Sequence, residues 1–341
     1  MAATLKEIAM HTQLSQQAVS QVLNGRGRIA PGTRDRVLRA AAELGYRPNG
    51  SAKAMRSGQF GGIALLLSSE KGRSHFLNGL MEGIQSSLDQ HDLHLAVAAL
   101  ADEKLTDPTY TPKILREWMA DGLLVHYTNH VPAAMVDLIG RFKIPSIWLN
   151  TKADADCVYF DDLRGAQTAT EHLLSLGHRD IAYVDYHNNS SDAELHHSVA
   201  DRRNGYLQAM NAARLPVRLI GEDRPIAAGE RAPLIREWLS KSDRPTAVVT
   251  YSPWTALPLL YSAAQLGLVV PRDLSVVTFA EGIFQDAGVA VTSMLLPEFE
   301  LGRVGVELLL EKIKDPATPL KPRRRTLTLS RGETTAPPPS K

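Results

Sequence analysis

Short apolar runs alternate with amphipathic helical patterns from Gly61 onward, and this alternation restricts the fold more than any other feature. Apolar runs bounded by turn residues are typical of buried strands, and intervening helices return the chain for the next parallel strand. The runs are Ile63–Leu67, Leu93–Leu100, Gly122–Tyr127, Ile144–Leu149, Ile181–Val184, Val217–Ile220, Ala247–Tyr251 and Leu274–Phe279. Roughly nine strands suit two sheets better than one, which predicts an α/β body of two doubly wound parallel-sheet lobes. Ligands of such sheets bind beyond the carboxyl ends of the strands, so the lobes should enclose a cleft.

The first 48 residues have a different pattern, in which residues suited to cap a helix are followed by short stretches with helical spacing of apolar residues. Thr4 and Glu7 have the spacing of a capping box, and Ser15 is suited to cap a second helix. Helices are expected over Leu5–His11, over Gln16–Leu23 and from near Thr33 to Gly45. Two short helices joined by a tight turn, with a third in support, form a helix-turn-helix unit. The N-terminal region is therefore predicted to be an all-α head.

Charge is divided unevenly along the chain, although the formal net charge is only +1. Residues 1–58 hold nine Lys and Arg residues against three acidic residues. A basic head on an acidic body favours contact with a polyanion. A solvated basic surface would have the same composition, so the helix caps and their spacing decide between the two interpretations.

The second helix of a helix-turn-helix unit places its N-terminal side chains against base edges in the major groove. On this helix the base-reading candidates are Gln16, Gln17 and Gln21. A glutamine amide pairs bidentately with adenine and adapts to other base edges. The residues spaced to contact phosphates around it are Ser15, Asn24, Arg28, Thr33 and Arg34. The alternative is a small helical bundle whose glutamines face water.

The run TLKEIAMHTQLSQQAVSQVLNGRGRIAPGTRDRVLRAAAELGYRPN closely resembles the head of the lactose-repressor (LacI/GalR-type) family of bacterial transcriptional regulators. The resemblance continues at residues 165–184, 201–206 and 331–334, and so spans nearly the whole chain. It implies a helix-turn-helix head and a periplasmic-binding-protein-like body. One departure is Gln13, which stands where the family usually has glycine in the turn. We expect this glutamine to adopt an unusual backbone angle at modest cost.

The resemblance also implies the domain boundaries. A DNA-binding domain would occupy residues 1–48, a hinge helix or linker 49–59, an effector-binding and dimerisation domain 60–334, and a disordered tail 335–341. The chain would cross between the lobes near Phe160, Val291 and Lys321. The N-lobe would then comprise about 60–160 and 292–321, and the C-lobe about 161–291 and 322–334.

The hinge segment can form one or two helical turns, which are marginal in isolation. In the resembled family this segment folds on the operator, pairs with its copy from the partner subunit and enters the minor groove. An apolar side chain there wedges between base steps and kinks the DNA. By motif position Met55 would be the wedge, Ala52 would line the contact between the two helices, and Asn49 would begin the segment. A plain linker is the alternative.

The family's effector pocket, carried over residue by residue, falls on Phe76, Leu77, His126, Asn150, Arg202, Trp254 and Glu281. Arg202 matches the arginine that typically hydrogen-bonds the ligand in relatives. A guanidinium group suits vicinal hydroxyls or a carboxylate. The alternative for Arg202 is an ion pair with Asp201 or another surface acid.

Two departures from the family pattern leave the ligand class open. Ala280 and Pro253 stand where relatives commonly carry polar residues after two of the strands. Trp254 can stack on a sugar or a flat ligand, or it can belong to the core or to an interface. A lone histidine such as His126 is more often structural than a ligand contact.

No motif in the sequence supports an enzyme. There is no Walker-type phosphate loop, no G-x-S-x-G elbow and no metal-ligand spacing, so no catalytic residue, metal or cofactor is expected. His187, His196 and His197 fall in a polar stretch that is expected to be a solvated loop. Cys157 is the only cysteine, and neither a signal peptide nor a membrane span is visible, which favours the cytoplasm.

The expected function is that of a sequence-specific DNA-binding transcriptional regulator, with repression as the family's usual mode. It would bind a palindromic operator in double-stranded DNA as a homodimer, without a membrane partner. A carbohydrate-like small-molecule effector in the cleft would control the affinity for DNA. The alternative is a DNA-binding regulator whose body is a ligand-independent dimer scaffold.

Overall fold

The computed structural model describes residues 3–25, 27–47, 54, 58–70, 74, 78–105, 111–117, 119–127, 131–186, 195–221, 226–286 and 288–339. The chain divides into two units, Met1–Phe60 and Gly61–Lys341. The described part of the first unit is helical, and the second is α/β, so the expected fold class is confirmed. None of the described helices is long and apolar enough to cross a membrane.

The described part of the head contains three helices: α1 (Leu5–Thr12), α2 (Gln16–Leu23) and α3 (Pro31–Glu43). The predicted capping box is present before α1, because the Thr4 amide donates to Glu7 at 2.7 Å and the Glu7 amide donates to the Thr4 hydroxyl at 3.3 Å. Gln13 ends α1 with a φ of 53°, which confirms the left-handed angle expected where relatives have glycine.

The third helix begins two residues earlier than the sequence indicated. It starts at Pro31 rather than near Thr33, because a proline at the first helical position has a suitable φ and no amide that needs a partner. It ends at Glu43, before Gly45. Its buried side packs against α1 and α2 in a small core of Ile8, Ala9, Val19, Val22, Val37, Ala40 and Ala41.

The first sheet of the body has the strand order β11-β5-β4-β3-β1-β2, and all of its pairs are parallel. Its strands are β1 (Gly62–Ser68), β2 (His94–Leu100), β3 (Leu123–His126), β4 (Ser146–Leu149), β5 (Cys157–Phe160) and β11 (Arg323–Arg325). The helices of this lobe are α4 (Asn78–Gln90), α5 (Asp102–Leu105), α6 (Lys113–Arg116), α7 (Ala133–Arg141) and α12 (Glu298–Lys314).

The second sheet has the order β12-β10-β9-β8-β6-β7. Its strands are β6 (Ile181–Val184), β7 (Arg218–Ile220), β8 (Ala247–Thr250), β9 (Ser275–Ala280), β10 (Thr292–Leu295) and β12 (Thr328–Ser330). Only the β10–β12 pair is antiparallel among the described strands. The helices of this lobe are α8 (Asp162–Ser175), α9 (His197–Ala212), α10 (Ala228–Leu239) and α11 (Pro253–Gln265).

Two of the three expected crossings between the lobes are misplaced in the sequence-based boundaries. Strand β10 pairs with β9, so the second crossing follows Leu295 instead of lying near Val291. Strand β11 pairs with β5 in the first sheet, so the third crossing follows Arg325 instead of lying near Lys321. The remaining passage, from β5 to α8, follows Phe160.

The expectation of a disordered tail is wrong for its first residues. His178 Nε2 donates to the Ala336 carbonyl at 2.8 Å, and the Ala336 amide donates to the Ser275 hydroxyl at 3.1 Å. The Thr335 hydroxyl lies 3.2 Å from Nε2 of His172. These partners on the second lobe hold the start of the tail although its composition is rich in proline.

Helices α4 and α12 cross with their backbones in contact, which places the N-terminus of α12 at the cleft. A Cβ atom on Gly302 would overlap the Leu80 carbonyl oxygen, and one on Gly83 would overlap the Phe299 carbonyl oxygen. Neither glycine has a positive φ, so the backbone conformation does not require glycine. Glycine is required at both positions because there is no room for a side chain. The crossing therefore depends on the absence of two side chains.

Candidate functional site

One side of α2 is buried and the other carries the glutamines predicted to read bases. Ser15 caps this helix by accepting a hydrogen bond from the Ala18 amide at 3.1 Å. Val19 and Val22 are buried against the other helices of the head. The exposed residues of the same helix include Gln16, Gln17 and Gln21. Their amide groups are therefore accessible to base edges.

The predicted phosphate contacts lie around the ends of α2 and at the start of α3. Ser15, Asn24, Arg28 and Arg34 are exposed, and Thr33 is half-buried. The Asn24 side-chain amide donates to the Ser20 carbonyl at 2.6 Å, which closes the C-terminus of α2. A Cβ on Gly25 would lie 3.8 Å from Nη2 of Arg34, so this guanidinium group lies beside the end of α2.

Five predicted site residues lie outside the described residues: Asn49, Ala52 and Met55 of the hinge, and Phe76 and Leu77 of the cleft. Their proposed roles stay predictions from the sequence.

A cavity of 570 Å³ lies in the body where the carboxyl ends of strands from both lobes meet. Asn150 follows β4, Phe160 ends β5, Tyr251 follows β8, Ala280 ends β9 and Leu296 follows β10. The first turns of three helices add His196 and Ser198 at α9, Pro253 and Trp254 at α11, and Glu298 at α12. This is the position expected for the ligand site of two facing parallel sheets. The volume lies within the usual range for small-molecule sites.

A buried ion pair forms one wall of the cavity. Nε of Arg202 donates to Oδ1 of Asp162 at 2.7 Å, and Nη1 donates to the Tyr251 carbonyl at 2.7 Å. The guanidinium carbon also lies 4.2 Å from the ring centre of Phe279. Burial opposes the charge on Arg202, but the Asp162 carboxylate together with the Tyr251 and Tyr183 hydroxyl groups raises the pKa of the guanidinium group. Arg202 is therefore rigid and charged before any ligand enters.

A chain of hydrogen bonds joins the two lobes across the cavity. Nε2 of His196 donates to the Asn150 carbonyl at 2.7 Å, and the Ser198 amide donates to Nδ1 at 3.3 Å. The Ser198 hydroxyl lies 2.8 Å from the Tyr251 hydroxyl. Burial, reinforced by the adjacent His197, lowers the pKa of His196 to about 3. The ring is thus neutral at physiological pH, as its two hydrogen bonds require.

Glu298 is a buried acid in the first turn of α12, and it lines the cavity. Its carboxylate accepts a hydrogen bond from the Gly79 amide in the first turn of α4. Its Oε1 atom has no hydrogen-bond partner among the described residues. Burial and the nearby charge of Glu281 raise the pKa of Glu298 to about 7.

The family relationship rests on two sequence profiles and on curated relatives. Residues 4–49 match the profile of bacterial regulatory proteins of the lacI family. Residues 170–335 match the periplasmic binding protein-like domain. The ribose operon repressor of Haemophilus influenzae is 28% identical over 324 residues, which cover 92% of this chain and 93% of that protein. The chain belongs to the LacI family.

Further similarities extend over the full length of this LacI-family protein. The HTH-type transcriptional repressor PurR of Vibrio vulnificus is 26% identical and is covered over 92% of both chains. The crystal structure of the lac repressor dimer bound to operator has the same fold, with a TM-score of 0.77 and 21% identity. That comparison covers 98% of this chain and 100% of the other. The two-part architecture is thus that of the family.

The structure corrects several expectations for the cleft of this LacI-family chain. His126 is fully buried with Nδ1 3.3 Å from the Leu149 carbonyl, and it is not among the described residues that line the cavity. His196 caps α9 and His197 is its first residue, so neither lies in a solvated loop, and His187 lies outside the described residues. Arg202 pairs with buried Asp162, whereas Asp201 pairs with Lys152 at 2.8 Å.

Three of the predicted effector residues do line the cavity in addition to Arg202. Asn150 is buried, with a φ of 51° and an Oδ1 atom that has no partner in the described part of the chain. Trp254 is 74% exposed at the start of α11, and Glu281 is exposed just after β9. These positions could be anticipated because each follows a predicted strand.

Sequence reasoning missed Asp162, His196, Ser198, Tyr251 and Glu298. Tyr251 is the last residue of the predicted run Ala247–Tyr251, and it could have been found as a position at the carboxyl end of a strand, like Asn150. Glu298 carried no such signal, because an acid in the first turn of a helix is ordinary on an exposed surface. Its burial arises from the close crossing of α4 and α12, which the sequence does not reveal.

Proposed function

We propose that this LacI-family chain is a cytoplasmic transcriptional repressor and not an enzyme. It binds a two-fold symmetric operator in double-stranded DNA as a homodimer. A small molecule in the cavity between the two lobes changes the affinity for the operator. The observation that carries the proposal is the capped three-helix head, with its exposed glutamines, within the region that matches the lacI profile.

The head supplies the DNA-binding half of this function. Gln16, Gln17 and Gln21 read base edges from the exposed side of α2, and Ser15, Asn24, Arg28, Thr33 and Arg34 contact phosphates around it. By position in the family motif, Met55 is the minor-groove wedge, with Asn49 and Ala52 in the same hinge. A symmetric dimer requires paired half-sites, so the operator is palindromic.

The cavity favours an effector-responsive body over a ligand-independent scaffold. A scaffold needs no large space between its lobes, and buried polar atoms without partners would weaken it. Here Asn150 Oδ1 and Glu298 Oε1 have no hydrogen-bond partner among the described residues, and both side chains line the cavity. A ligand that satisfies these atoms stabilises the arrangement of lobes that it binds.

Replacing Gln17 with alanine should relax the base preference at one position of each half-site. We expect a loss of about 1–3 kcal/mol of discrimination there, because the bidentate amide contact disappears. Competition binding with operators that carry single base-pair changes measures this discrimination.

Arg28→Ala is the matched control in the same head. Removing a phosphate contact should weaken the affinity for every sequence similarly and lower the salt slope by about one. A changed base preference in Arg28→Ala, or unchanged discrimination in Gln17→Ala, would contradict the assigned roles.

Thermal-shift screening tests the effector half of the proposal. Purified protein is screened against sugars, sugar acids and nucleosides, and each compound that raises the melting temperature is tested for its effect on operator affinity. A compound that does both supports the proposal. If no compound changed either quantity, the ligand-independent scaffold would be the better description of the body.

A further inference from the structure

We propose that the effector carries a protonated nitrogen, such as an amine, and that Glu298 is the residue that selects it. This inference rests on the proposed function, because it assigns a chemical class to the ligand of the same cavity. It goes beyond the sugar-like ligand expected from the family resemblance.

The first lobe contributes two buried hydrogen-bond acceptors to the cavity that no donor in the described residues satisfies. Glu298 is only 5% exposed and Asn150 only 8%. One oxygen of each, Oε1 and Oδ1 respectively, lacks a hydrogen-bond partner within the described ranges. An occupant must donate hydrogen bonds to both atoms if neither is to remain buried and unsatisfied. An anionic group cannot do so.

The balance of charge around the cavity is negative. Its described carboxylates are Glu281, Asp286 and Glu298, and its described guanidinium groups belong to Arg202 and Arg231. The charge of Arg202 is already compensated by Asp162 at 2.7 Å. Arg231 lies with its guanidinium carbon 4.8 Å from the ring centre of Tyr186. Among the described residues, these three carboxylates are therefore opposed by one guanidinium group without a carboxylate partner, that of Arg231.

A positively charged nitrogen satisfies the Oε1 oxygen of Glu298 and also offsets the repulsion between Glu298 and Glu281, whereas an uncharged hydroxyl group does only the first. Glu298 is buried and lies in the field of Glu281, and both conditions disfavour its charged form. A hydroxyl group can satisfy Oε1 but does not offset the repulsion between the two acids. An ammonium group does both, because it donates hydrogen bonds and carries the opposite charge.

Aromatic side chains in the same cavity suit such a ligand. Trp254 is 74% exposed, and Phe160 and Phe284 also line the cavity. Aromatic ring faces attract cations, most strongly those of tryptophan. The rings of Phe279 and Tyr251 already serve in this way for Arg202, whose guanidinium carbon lies 4.2 and 4.7 Å from their centres.

Two matched probe series test the inference on the full-length protein. One series is benzylamine, benzyl alcohol and benzoate, and the other is glucosamine, glucose and glucuronate. Each compound is titrated by calorimetry and by thermal shift into wild-type protein, Glu298→Gln and Glu300→Gln. Glu300 is the control, because it lies on the same helix but accepts from Arg303 at 2.7 Å outside the cavity.

The expected result is that the amine of at least one series binds best and that Glu298→Gln weakens it by roughly ten- to a hundredfold. Glu300→Gln should bind it like the wild type. Far-UV circular dichroism of both variants without probe checks that they are folded.

Three results would overturn the inference. They are equal or tighter binding of an uncharged or anionic member, unchanged amine binding in Glu298→Gln, and no response to either series. If uncharged sugars bound the wild type and Glu298→Gln equally well, the proposed function of an effector-responsive repressor would stand. The proposal that its effector is an amine would be wrong. The DNA-binding half is tested separately by Gln17→Ala.

Discussion

Replacing Arg202 with methionine is expected to lower the free energy of unfolding of the body by about 3–5 kcal/mol. The substitution leaves Asp162 with no solvent exposure and without its 2.7 Å partner. It also removes the donor to the Tyr251 carbonyl and the contact with the Phe279 ring. A buried carboxylate without compensation is far more costly than the loss of the attraction alone.

Urea denaturation followed by tryptophan fluorescence measures this loss, because all four tryptophans fall after residue 61 of the chain. Lys152→Met is the matched control, since it breaks a more exposed pair with Asp201. We expect it to cost no more than about 1 kcal/mol. Similar losses in the two variants would mean that burial of the Arg202–Asp162 pair does not govern stability here.

Replacing Gly302 with alanine should destabilise the body by about 3 kcal/mol, at the upper end of the range for an overfilled core. The added Cβ would overlap the Leu80 carbonyl oxygen and approach the Ile84 amide nitrogen to 2.8 Å. Both obstacles are backbone atoms, so no side-chain rotation relieves the clash. Helix α12 must then move away from α4, and the Glu298–Gly79 contact at the cavity moves with it.

Gly140→Ala is the control for this change, because nothing lies within 4 Å of the Cβ position at Gly140 in α7. Alanine is favoured over glycine in a helix, so this variant should be neutral or more stable by up to about 1 kcal/mol. Urea denaturation of both variants makes the comparison. A Gly302→Ala protein as stable as Gly140→Ala would show that the two helices can separate without cost.

The parts of the fold that follow from local chemistry could be predicted, and those set by packing could not. The caps at Thr4 and Ser15 and the left-handed angle at Gln13 depend on a few neighbouring residues. Strand β10, with a threonine and a serine among its four residues, lacks the apolar run that marks a buried strand, and it was missed. As a result the second crossing between the lobes was misplaced.

The cavity residues divide in the same way into those that local sequence predicts and those that depend on tertiary packing. Positions directly after strands, such as Asn150 and Glu281, could be named because parallel strands end at one edge of a sheet. The burial of Glu298 could not be anticipated, because it depends on the approach of two helices more than two hundred residues apart in sequence. The partner of Arg202 was likewise missed, since Asp162 begins a helix and resembles a surface acid.

Selection of binding sites from random double-stranded DNA by the full-length protein tests the central claim most directly. We expect enrichment of one two-fold symmetric sequence, with two inverted half-sites that match the paired heads of a homodimer. Its affinity should fall when either half-site is replaced. Recovery of no preferred sequence, or of an asymmetric site that binds as well with one half-site destroyed, would contradict the assignment as a dimeric sequence-specific repressor.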